Sequence, residues 1–478
     1  MAERLITVET RLKPNTDLTN YLNSVVSVYE QVKRKIWHQM TNPNYNTKFS
    51  KESDFTKDCR KKYDLHSRTI NSIIHEVKGL MNSYIELKKT ELSTVEQKII
   101  KQEKKIAKTK DILDKLKDVV TYNKATEKQL IKYRKNKRTI FNQKRRLNQL
   151  KVRKTNLEYI IEHSIYKVCF GTKQMWKKQY NLDKNNYKTH IKWHNDFNKC
   201  RDKNIYFLGS ANETCCNQMV NFVYDSKTGL FNIKIRKLEK LKDNKRGSYD
   251  NYVSYEYLNF NHCKDDLLQL LNQHTIKSND RQPITYRFHR RGTTWYLQII
   301  YTKKFENTSY LTRNNNGVIG LDYNDGFIQL AETDTYGNLI HLQKYNLKYH
   351  GCGNKAKTEI EQVLNIIVKY AISVGKDIAI ENLNFSKTKS KQTKAKSNRG
   401  KNYNRMLHLF DYSRYKQKLK DIAFNSKVYL AFVNPKNTSK IGKQKYLDRM
   451  KLTVHQSAAY VIARKYQGFK DNLQITMS

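Results

Sequence analysis

The chain is organised around one segment, Gly317-Val318-Ile319-Gly320-Leu321-Asp322-Tyr323-Asn324-Asp325-Gly326-Phe327-Ile328-Gln329-Leu330-Ala331. Its two apolar runs are separated by Asn-Asp-Gly, which is the signal of a tight turn between paired strands. The pattern therefore predicts a β-hairpin with Asp322 on its first strand. A carboxylate among buried strand residues is costly unless a metal ion, or a second acid that shares a proton, neutralises it. Asp322 is thus a candidate functional residue.

A second acid occurs in the same setting further along the chain. The segment Asp377-Ile378-Ala379-Ile380-Glu381-Asn382-Leu383 predicts a strand that ends in Glu381. Before it, Thr358 and Glu361 have capping-box spacing at the start of an apolar helical stripe that Gly375 ends. Strand, hairpin, helix and strand is an α/β order. Two acids that end neighbouring strands are similar to the metal-dependent site of RNase H-like nucleases.

Length and charge limit the possible classes of protein. At 478 residues, the chain is too long for one core and should divide into roughly three domains. The net charge of +48 and the pI near 9.8 exceed what solubility needs and predict a polyanionic partner, by default nucleic acid. With no apolar run of about eighteen residues and no signal peptide, we expect a soluble protein with no membrane partner. The seven cysteines contain no C-x-x-C pair, which argues against structural zinc or a disulfide framework.

A long helical region precedes the segments that carry the acids. No glycine occurs from Leu80 to Phe170, and a seam of apolar residues near heptad spacing predicts one arm of an antiparallel helical hairpin, with Thr126 and Gln129 as its capping box. Lys128 to Lys154 carries many basic residues and no acid. We interpret this face, with Lys135, Arg138, Arg145 and Arg146 as candidates, as tracking a phosphate backbone, the alternative being a solvated basic surface.

Between residues 206 and 315 the apolar period changes to two. The alternation predicts an antiparallel β-domain, interpreted as a barrel that the N-terminal strand, residues 4–12, completes. Its many tyrosines could stack nucleic-acid bases, although cross-strand packing is the more common use of such residues.

After Glu381, residues 386–405 are again basic and free of acid. Their Ser, Thr, Asn and Gln content predicts a loop that becomes ordered on a polyanion, a substrate lid, with a disordered linker as the alternative. The candidate contacts in this loop are Lys387, Lys389, Lys391 and Arg399. The rest predicts a helix over about 407–424, a strand over 428–433 and a final helix capped by Thr453 and Gln456.

At these residues the chain resembles the TnpB family, transposon-encoded RNA-guided nucleases that are similar to type V CRISPR effectors. The matching motifs are Gly320-Leu321-Asp322 with its hairpin, Ile380-Glu381-Asn382-Leu383, Val433-Asn434-Pro435 with Thr438-Ser439, and Ala458-Ala459 leading to Arg464. The resemblance covers about residues 316–470 and implies a RuvC-like, RNase H-like α/β nuclease domain. It also implies a multidomain α+β protein with an antiparallel β-barrel wedge domain around a long helical recognition insertion.

The implied domains follow one another along the chain. They are the N-terminal strand and helix of the wedge domain (1–48), the helical recognition domain (49–205), the β wedge domain (206–315), the first RuvC-like part (316–385), the basic lid (386–405) and the second RuvC-like part (406–478).

Two departures from the family bear on the site. Family members usually carry a four-cysteine zinc ribbon before the last helix, whereas Lys440 to Leu452 is short and contains no cysteine. The family's third acid aligns with His455, which we interpret as a metal ligand, with a buried core histidine as the alternative. Asp448 could instead supply the third charge.

The leading hypothesis is therefore an RNA-guided DNA endonuclease of a prokaryotic cytoplasm, associated with the nucleoid. The resemblance implies Mg²⁺ or Mn²⁺ at Asp322 and Glu381, with guide RNA and target DNA as partners. We interpret His455 as the third metal ligand or as a proton carrier. One alternative is a nuclease-impaired relative that only binds DNA as a repressor. Another is a DNA-only transposase, which leaves the basic helical insertion without a purpose.

Overall fold

The computed structural model describes residues 2–42, 44, 51–122, 124–213, 215–238, 251–275, 281–305, 310–324, 326–349, 353–383 and 412–471. The chain is a mixed α+β protein that divides into two compact units. The first unit contains Met1–Ala2, Ser93–Lys151 and Phe305–Ser478, and the second contains Glu3–Leu92 and Val152–Lys304. No helix of the described residues is both long and apolar enough to cross a membrane.

The described residues form the following helices and strands. The α-helices are α1 (Asp17–Met40), α2 (Glu52–Tyr63), α3 (Ser67–Thr121), α4 (Glu127–Glu162), α5 (Lys173–Lys177), α6 (His190–Arg201), α7 (Lys264–Leu271), α8 (Asn354–Val374), α9 (Tyr412–Asn425), α10 (Thr438–Gly442) and α11 (Val454–Tyr466). The strands are β1 (Ala2–Arg11), β2 (Asn204–Phe207), β3 (Val220–Asp225), β4 (Leu230–Arg236), β5 (Tyr252–Leu258), β6 (Thr285–Arg291), β7 (Thr294–Phe305), β8 (Arg313–Asn324), β9 (Phe327–Thr333), β10 (Leu339–Asn346), β11 (Lys376–Glu381) and β12 (Leu430–Val433).

The first unit is built on a five-stranded sheet of order β10-β9-β8-β11-β12. The predicted hairpin is confirmed: β8 and β9 pair antiparallel from Ile319 with Glu332 to Asn324 with Phe327. Strand β11 runs parallel to both β8 and β12, which confirms the predicted strand that ends in Glu381. A helix, α8, connects β10 to β11, as a parallel crossover requires.

Alternation along the strands divides this sheet into two buried faces. Ile319, Leu321 and Ile380 pack with helices α8 and α9 on one face. Val318 and Ala379 pack with α11 on the other. Because side chains two apart on a strand share a face, Asp322 and Glu381 belong to the α11 face.

The helix boundaries confirm one predicted cap and correct another. Helix α11 begins at a complete capping box of Thr453 and Gln456, as predicted. Helix α8 does not begin at Thr358, because Gly353 is its N-cap and the buried Ala356 extends the apolar stripe into an earlier turn. Thr358 lies inside the helix, where its hydroxyl donates to Asn354 O.

The second unit contains two open sheets, of orders β1-β7-β6-β2 and β3-β4-β5. The N-terminal strand does join this β-region, and Leu12 N donates to Trp295 O at 2.9 Å just after β1 ends. The barrel prediction is wrong for the described residues, whose strands close no barrel. Alternation specifies which face of a strand is buried but not which strand it pairs with. One core joins both sheets with α1, α2 and the start of α3.

The predicted helical hairpin is formed by α3, of 55 residues, and α4, of 36 residues. Gln102 Nε2 donates to Gln143 O at 3.0 Å, and Arg153 pairs with Glu91, so the arms run antiparallel. The seam side chains Val95 and Ile99 are buried at the four-residue spacing of a coiled coil. The basic loop over 386–405 lies outside the described residues.

Candidate functional site

Strand register brings the two candidate acids together at one edge of the sheet. In the parallel pair, Ile380 of β11 lies opposite Leu321 of β8. The next residues along these strands are Glu381 and Asp322, which share the face covered by α11. Both strands approach their carboxyl ends here, and such edges of open α/β sheets commonly hold ligands. The sequence prediction that these two acids lie together is confirmed, while their role stays a prediction.

Two polar side chains contact the Asp322 carboxylate. Asn324 Nδ2 donates to Asp322 Oδ2 at 2.8 Å, because residues two apart on β8 share a face. His455 Nδ1 lies 3.1 Å from the same oxygen. An ionised carboxylate only accepts hydrogen bonds, so Nδ1 is the donor in this contact, and in the neutral ring Nε2 then carries the lone pair. Asp322 Oδ1 is not used by either contact.

Helix α11 holds His455 in this position from its first turn. At its start, Thr453 Oγ1 accepts from Gln456 N, and Gln456 Oε1 accepts from Thr453 N. The helix lies so close to β8 that a Cβ on Gly320 would stand 2.1 Å from Ala459 O. Only glycine permits this approach, and the approach brings the first turn of α11 over Asp322.

The alternative of a buried core histidine at 455 is wrong. The His455 side chain is 45% exposed, and its ring meets the Phe327 ring edge to face at 5.0 Å. The buried residues of this helix begin after His455 and run from Ser457 to Ala463. His455 is therefore both held and accessible, as a residue that exchanges protons requires.

Glu381, like Asp322, is partly buried. Burial raises its pKa, and the nearby charge of Asp322 adds to the rise, while a Thr438 hydrogen bond and the Lys465 charge oppose it. The Thr438 hydroxyl is shared, because it also lies 2.9 Å from Pro435 O. The Tyr412 hydroxyl donates to the backbone carbonyl of Glu381 and fixes the end of β11.

Aromatic rings from α9 support β8 from the opposite face. Tyr323 stacks on the fully buried Tyr415 with ring centroids 4.2 Å apart. This contact fixes the backbone of the residue that follows Asp322. The end of β8 is therefore packed against α9 on one face, and Asp322 lies on the other face, beside the first turn of α11.

The acids of this site, Asp322 and Glu381, are the residues that could bind a divalent cation. Among the described residues, no group of three or more His, Cys, Asp and Glu side chains is close enough to enclose a metal ion. Mg²⁺ does not need such an enclosure, since proteins usually bind it through one or two carboxylates plus waters and substrate phosphates. Asp322 and Glu381 fit that pattern. Asp448 is exposed after a π-helix, Lys443–Leu447, and makes no described hydrogen bond or ion pair with either acid.

The nucleic-acid candidates of the helical hairpin lie on the surface of α4. Lys135, Arg138, Arg145 and Arg146 are all exposed, whereas the seam residue Leu157 is buried. Their heads therefore face solvent. Lys387, Lys389, Lys391 and Arg399 lie outside the described residues.

Sequence reasoning did not assign roles to several residues at this site. Asn324 was interpreted only as part of the turn, although its distance of two residues from Asp322 on a strand indicates a shared face. Thr438 was noticed only within a family motif. Lys465, whose charge reaches Glu381, has no local signal because it meets the site only through the packing of α11.

Comparisons with known proteins add little to this geometry. No family model and no curated protein matches the chain. Among the solved structures that match, T. thermophilus RuvC in complex with Holliday junction substrate is similar over 30% of this chain and 89% of that chain, with 14% identity and a TM-score of 0.21. A TM-score this low supports no conclusion about fold or function. The TnpB resemblance therefore stays a prediction.

Proposed function

We propose that this chain is a divalent-metal-dependent nuclease with an RNase H-like domain that cuts DNA under the guidance of RNA. The observation that carries the proposal is the pair Asp322 and Glu381 at adjacent positions on parallel strands, with His455 hydrogen-bonded to Asp322. The sheet order supports the RNase H-like assignment, because a three-stranded antiparallel meander is extended by parallel strands and the acids lie on its first and fourth strands.

In this proposal, Asp322 and Glu381 hold Mg²⁺ or Mn²⁺. The ion would activate water and stabilise the leaving 3′ oxygen when it is bound. The chain itself contributes positioning. Asn324 and His455 orient Asp322 through Oδ2, which leaves Oδ1 to face the cation. In the neutral ring, His455 Nε2 carries a lone pair with which it could accept and return a proton or bind the cation as a third ligand.

The RNA-guided part of the proposal rests on charge and on the helical hairpin. A chain of net charge +48 with an acid-free exposed face on α4 suits a long, regular polyanion. A guide–target heteroduplex is such a polyanion, and the protein would hold its backbone while base pairing reads the sequence. The partners proposed are a guide RNA and a target DNA.

The replacement of a third acid by histidine favours one further candidate, a nuclease-impaired protein that binds DNA under RNA guidance as a repressor. With only two carboxylates at the site, the cation affinity is lower than with three. Binding without cutting would then be the outcome.

The test is cleavage of DNA complementary to the RNA that co-purifies with the protein. We expect Mg²⁺-dependent cutting, and a loss of at least about 1,000-fold in Asp322→Ala and in Glu381→Ala, with DNA binding within a few-fold of wild type. Glu361→Ala is the matched control, because Glu361 is a carboxylate of the same unit that makes only a surface ion pair with Lys418.

Three outcomes would change the conclusion. Cutting at the wild-type rate by either acid variant would remove the site. RNA-directed binding with no cutting by the unmutated protein would favour the repressor. Cutting that persists after complete removal of RNA would favour a transposase that acts on DNA alone.

A further inference from the structure

The sheet face that carries Asp322 continues past the acid site to the edge strand β10. Asp322 lies opposite Gln329 of β9, and Gln329 lies opposite Lys344 of β10, so the three residues form one row across the strands. Residues directly opposite one another in antiparallel strands project to the same face. At about 4.8 Å per strand, the backbone of Lys344 is roughly 10 Å from that of Asp322. Lys344 is therefore on the acid-bearing face, on the side of Asp322 away from Glu381.

Helix α11 covers this face only as far as the preceding row. In that row Ala331 lies opposite Leu342, and both pack with α11. The Lys344 side chain is exposed, and so is Asn346 in the last row, where it lies opposite Phe327. Within the described part of the chain, an open surface thus extends from the acid site to the edge strand, over the ends of β9 and β10.

The Phe327 ring holds the ammonium group of Lys344 on this surface. Lys344 Nζ lies 4.5 Å from the centroid of the ring, which is the distance of a cation–π contact. The same ring meets the His455 ring at 5.0 Å, and His455 contacts Asp322. The position of the ammonium group beside the acid site therefore follows from side-chain contacts as well as from strand register.

The positive charge of Lys344 is not used by a carboxylate. Among the described residues it forms no ion pair, and the residue between it and Asp322 is Gln329, a neutral amide that donates to Gln343 O at 3.0 Å. An ammonium has three N–H donors, and a ring contact occupies only the side that faces the ring, so donors remain for an anion. On a substrate strand, the anion nearest to the scissile phosphate is a neighbouring phosphate.

We propose that Lys344 is a substrate-binding residue, whose ammonium contacts a phosphate of the cleaved strand next to the scissile phosphate, on the β10 side of the acid pair. The proposal rests on the proposed nuclease function, because Asp322 and Glu381 define where the scissile phosphate lies. It gives the strand a path, which crosses the ends of β11, β8, β9 and β10 in that order. Phe327 is a positioning residue, since its ring restricts Lys344 and His455.

The first test measures whether bound DNA covers Lys344. The protein with its co-purified RNA is acetylated with and without complementary DNA, in Ca²⁺, which binds to oxygen ligands as Mg²⁺ does. Mass spectrometry gives the modification of each lysine. We expect DNA to protect Lys344 and to leave the reactivity of Lys369 unchanged. Lys369 is the matched control, because it is an exposed lysine of α8, the helix that packs on the opposite face of the sheet.

The second test measures whether the contact is to a phosphate. Target strands each carry one methylphosphonate, an uncharged linkage, at successive positions, and their dissociation constants are measured in Ca²⁺. Lys344→Gln should weaken binding about fivefold, and one neutral linkage should weaken wild type equally without weakening Lys344→Gln further. Lys344→Arg keeps the charge and stacks on aromatic rings, so it should bind within about twofold of wild type. Lys369→Gln should stay as sensitive to that linkage as wild type.

Equal protection of Lys344 and Lys369 would overturn the proposal. So would a Lys344→Gln variant that keeps wild-type affinity or loses affinity at every neutral linkage as wild type does. Because Lys344 is exposed, its replacement should leave the melting temperature unchanged, which a thermal melt checks.

Neither test contains Mg²⁺ or a cleavage step. The expected result in both, with no Mg²⁺-dependent cutting by the unmutated protein, would refute the proposed reaction and leave the phosphate contact. Mg²⁺-dependent cutting without protection of Lys344 would refute the contact alone.

Discussion

The acid site of the sheet and the basic face of the helical hairpin are held in place by opposite means. Asp322 and His455 meet although 133 residues separate them, and both depend on the close approach of α11 at Gly320. The basic residues of α4 are positioned by the apolar seam between α3 and α4, whose residues recur every turn or two. Their own charged groups face solvent. A single substitution at the acid site should therefore abolish most of the cleavage activity. Substitution of one basic residue of α4 should lower the affinity for nucleic acid only slightly.

After the two acids themselves, the largest effect on cleavage is expected at His455. His455→Ala should lower cleavage about 100-fold, the scale of a lost proton carrier, because Nε2 is gone and Asp322 loses one of its two orienting contacts. Because the side chain is 45% exposed, the melting temperature should stay nearly unchanged. Cleavage assays and thermal melts on the same preparations measure both.

Two companion variants separate the possible roles at this position. His455→Asp, which restores the acid of the TnpB family, should retain cleavage if a third ligand is what the site needs. Asp448→Ala should leave cleavage unchanged. Intact cleavage in His455→Ala with a loss in Asp448→Ala would assign the third charge to Asp448 instead.

An intermediate effect is expected on the hairpin. Replacement of Lys135, Arg138, Arg145 and Arg146 by Gln should flatten the salt dependence of binding to an RNA–DNA heteroduplex, because log K falls about 0.9 units per phosphate contact for each tenfold rise in salt. The slope should fall by up to about 3.6 if all four contact phosphates. Titrations at four or five salt concentrations give the slope.

The matched control for this experiment lies on the other arm of the same hairpin. Lys98, Lys104, Lys105 and Lys108 are exposed on α3, where acids are interspersed, and their replacement by Gln removes the same charge. An equal change of slope in both variants would mean that the α4 face is only a general source of positive potential. A specific role would then be supported for the acid site only, and not for the α4 face.

The smallest expected effect is on the melting temperature, which the ionised Glu381 carboxylate lowers. Because the folded state raises the pKa of Glu381, ionisation of this residue destabilises the fold at high pH, and the penalty disappears as pH falls through the folded pKa to below the ordinary 4.5. Glu381→Gln should therefore raise the melting temperature by about 1–3 °C at pH 7.5 in EDTA, with no gain at pH 4.

Addition of Mg²⁺ distinguishes this cost from an unrelated packing change. The ion should stabilise wild type at pH 7.5, because it binds the folded state, and should stabilise Glu381→Gln less. A Gln variant that gains as much from Mg²⁺ as wild type would show that Glu381 does not bind the ion. This readout needs no cleavage.

Local sequence was sufficient for the elements whose signals lie within a few residues. The hairpin of β8 and β9, the strand that ends in Glu381 and the Thr453 capping box were all predicted and are present. The pairing of acids at one edge followed from chain order, because a helix between two strands makes them parallel.

The parts that sequence reasoning did not provide depend on contacts between distant residues. The β-region was expected to close into a barrel, but pairing partners such as β1 with β7 are determined by the whole unit. The start of α8 was misplaced because the Thr358 and Glu361 spacing competes with the burial of Ala356. The position of Lys465 relative to Glu381 depends on how α11 lies on the sheet, and no local pattern reports that.

The distance along the chain between Asp322 and His455 also has a consequence in time. At about 5–20 residues per second, a ribosome needs roughly 7–27 s to add the 133 residues that separate them. During that interval the strand with Asp322 is already synthesised, while the helix that orients its carboxylate does not yet exist. A nascent or prematurely terminated chain therefore carries both acids without the His455 contact, and under the proposed function it could not cut DNA until α11 has been made.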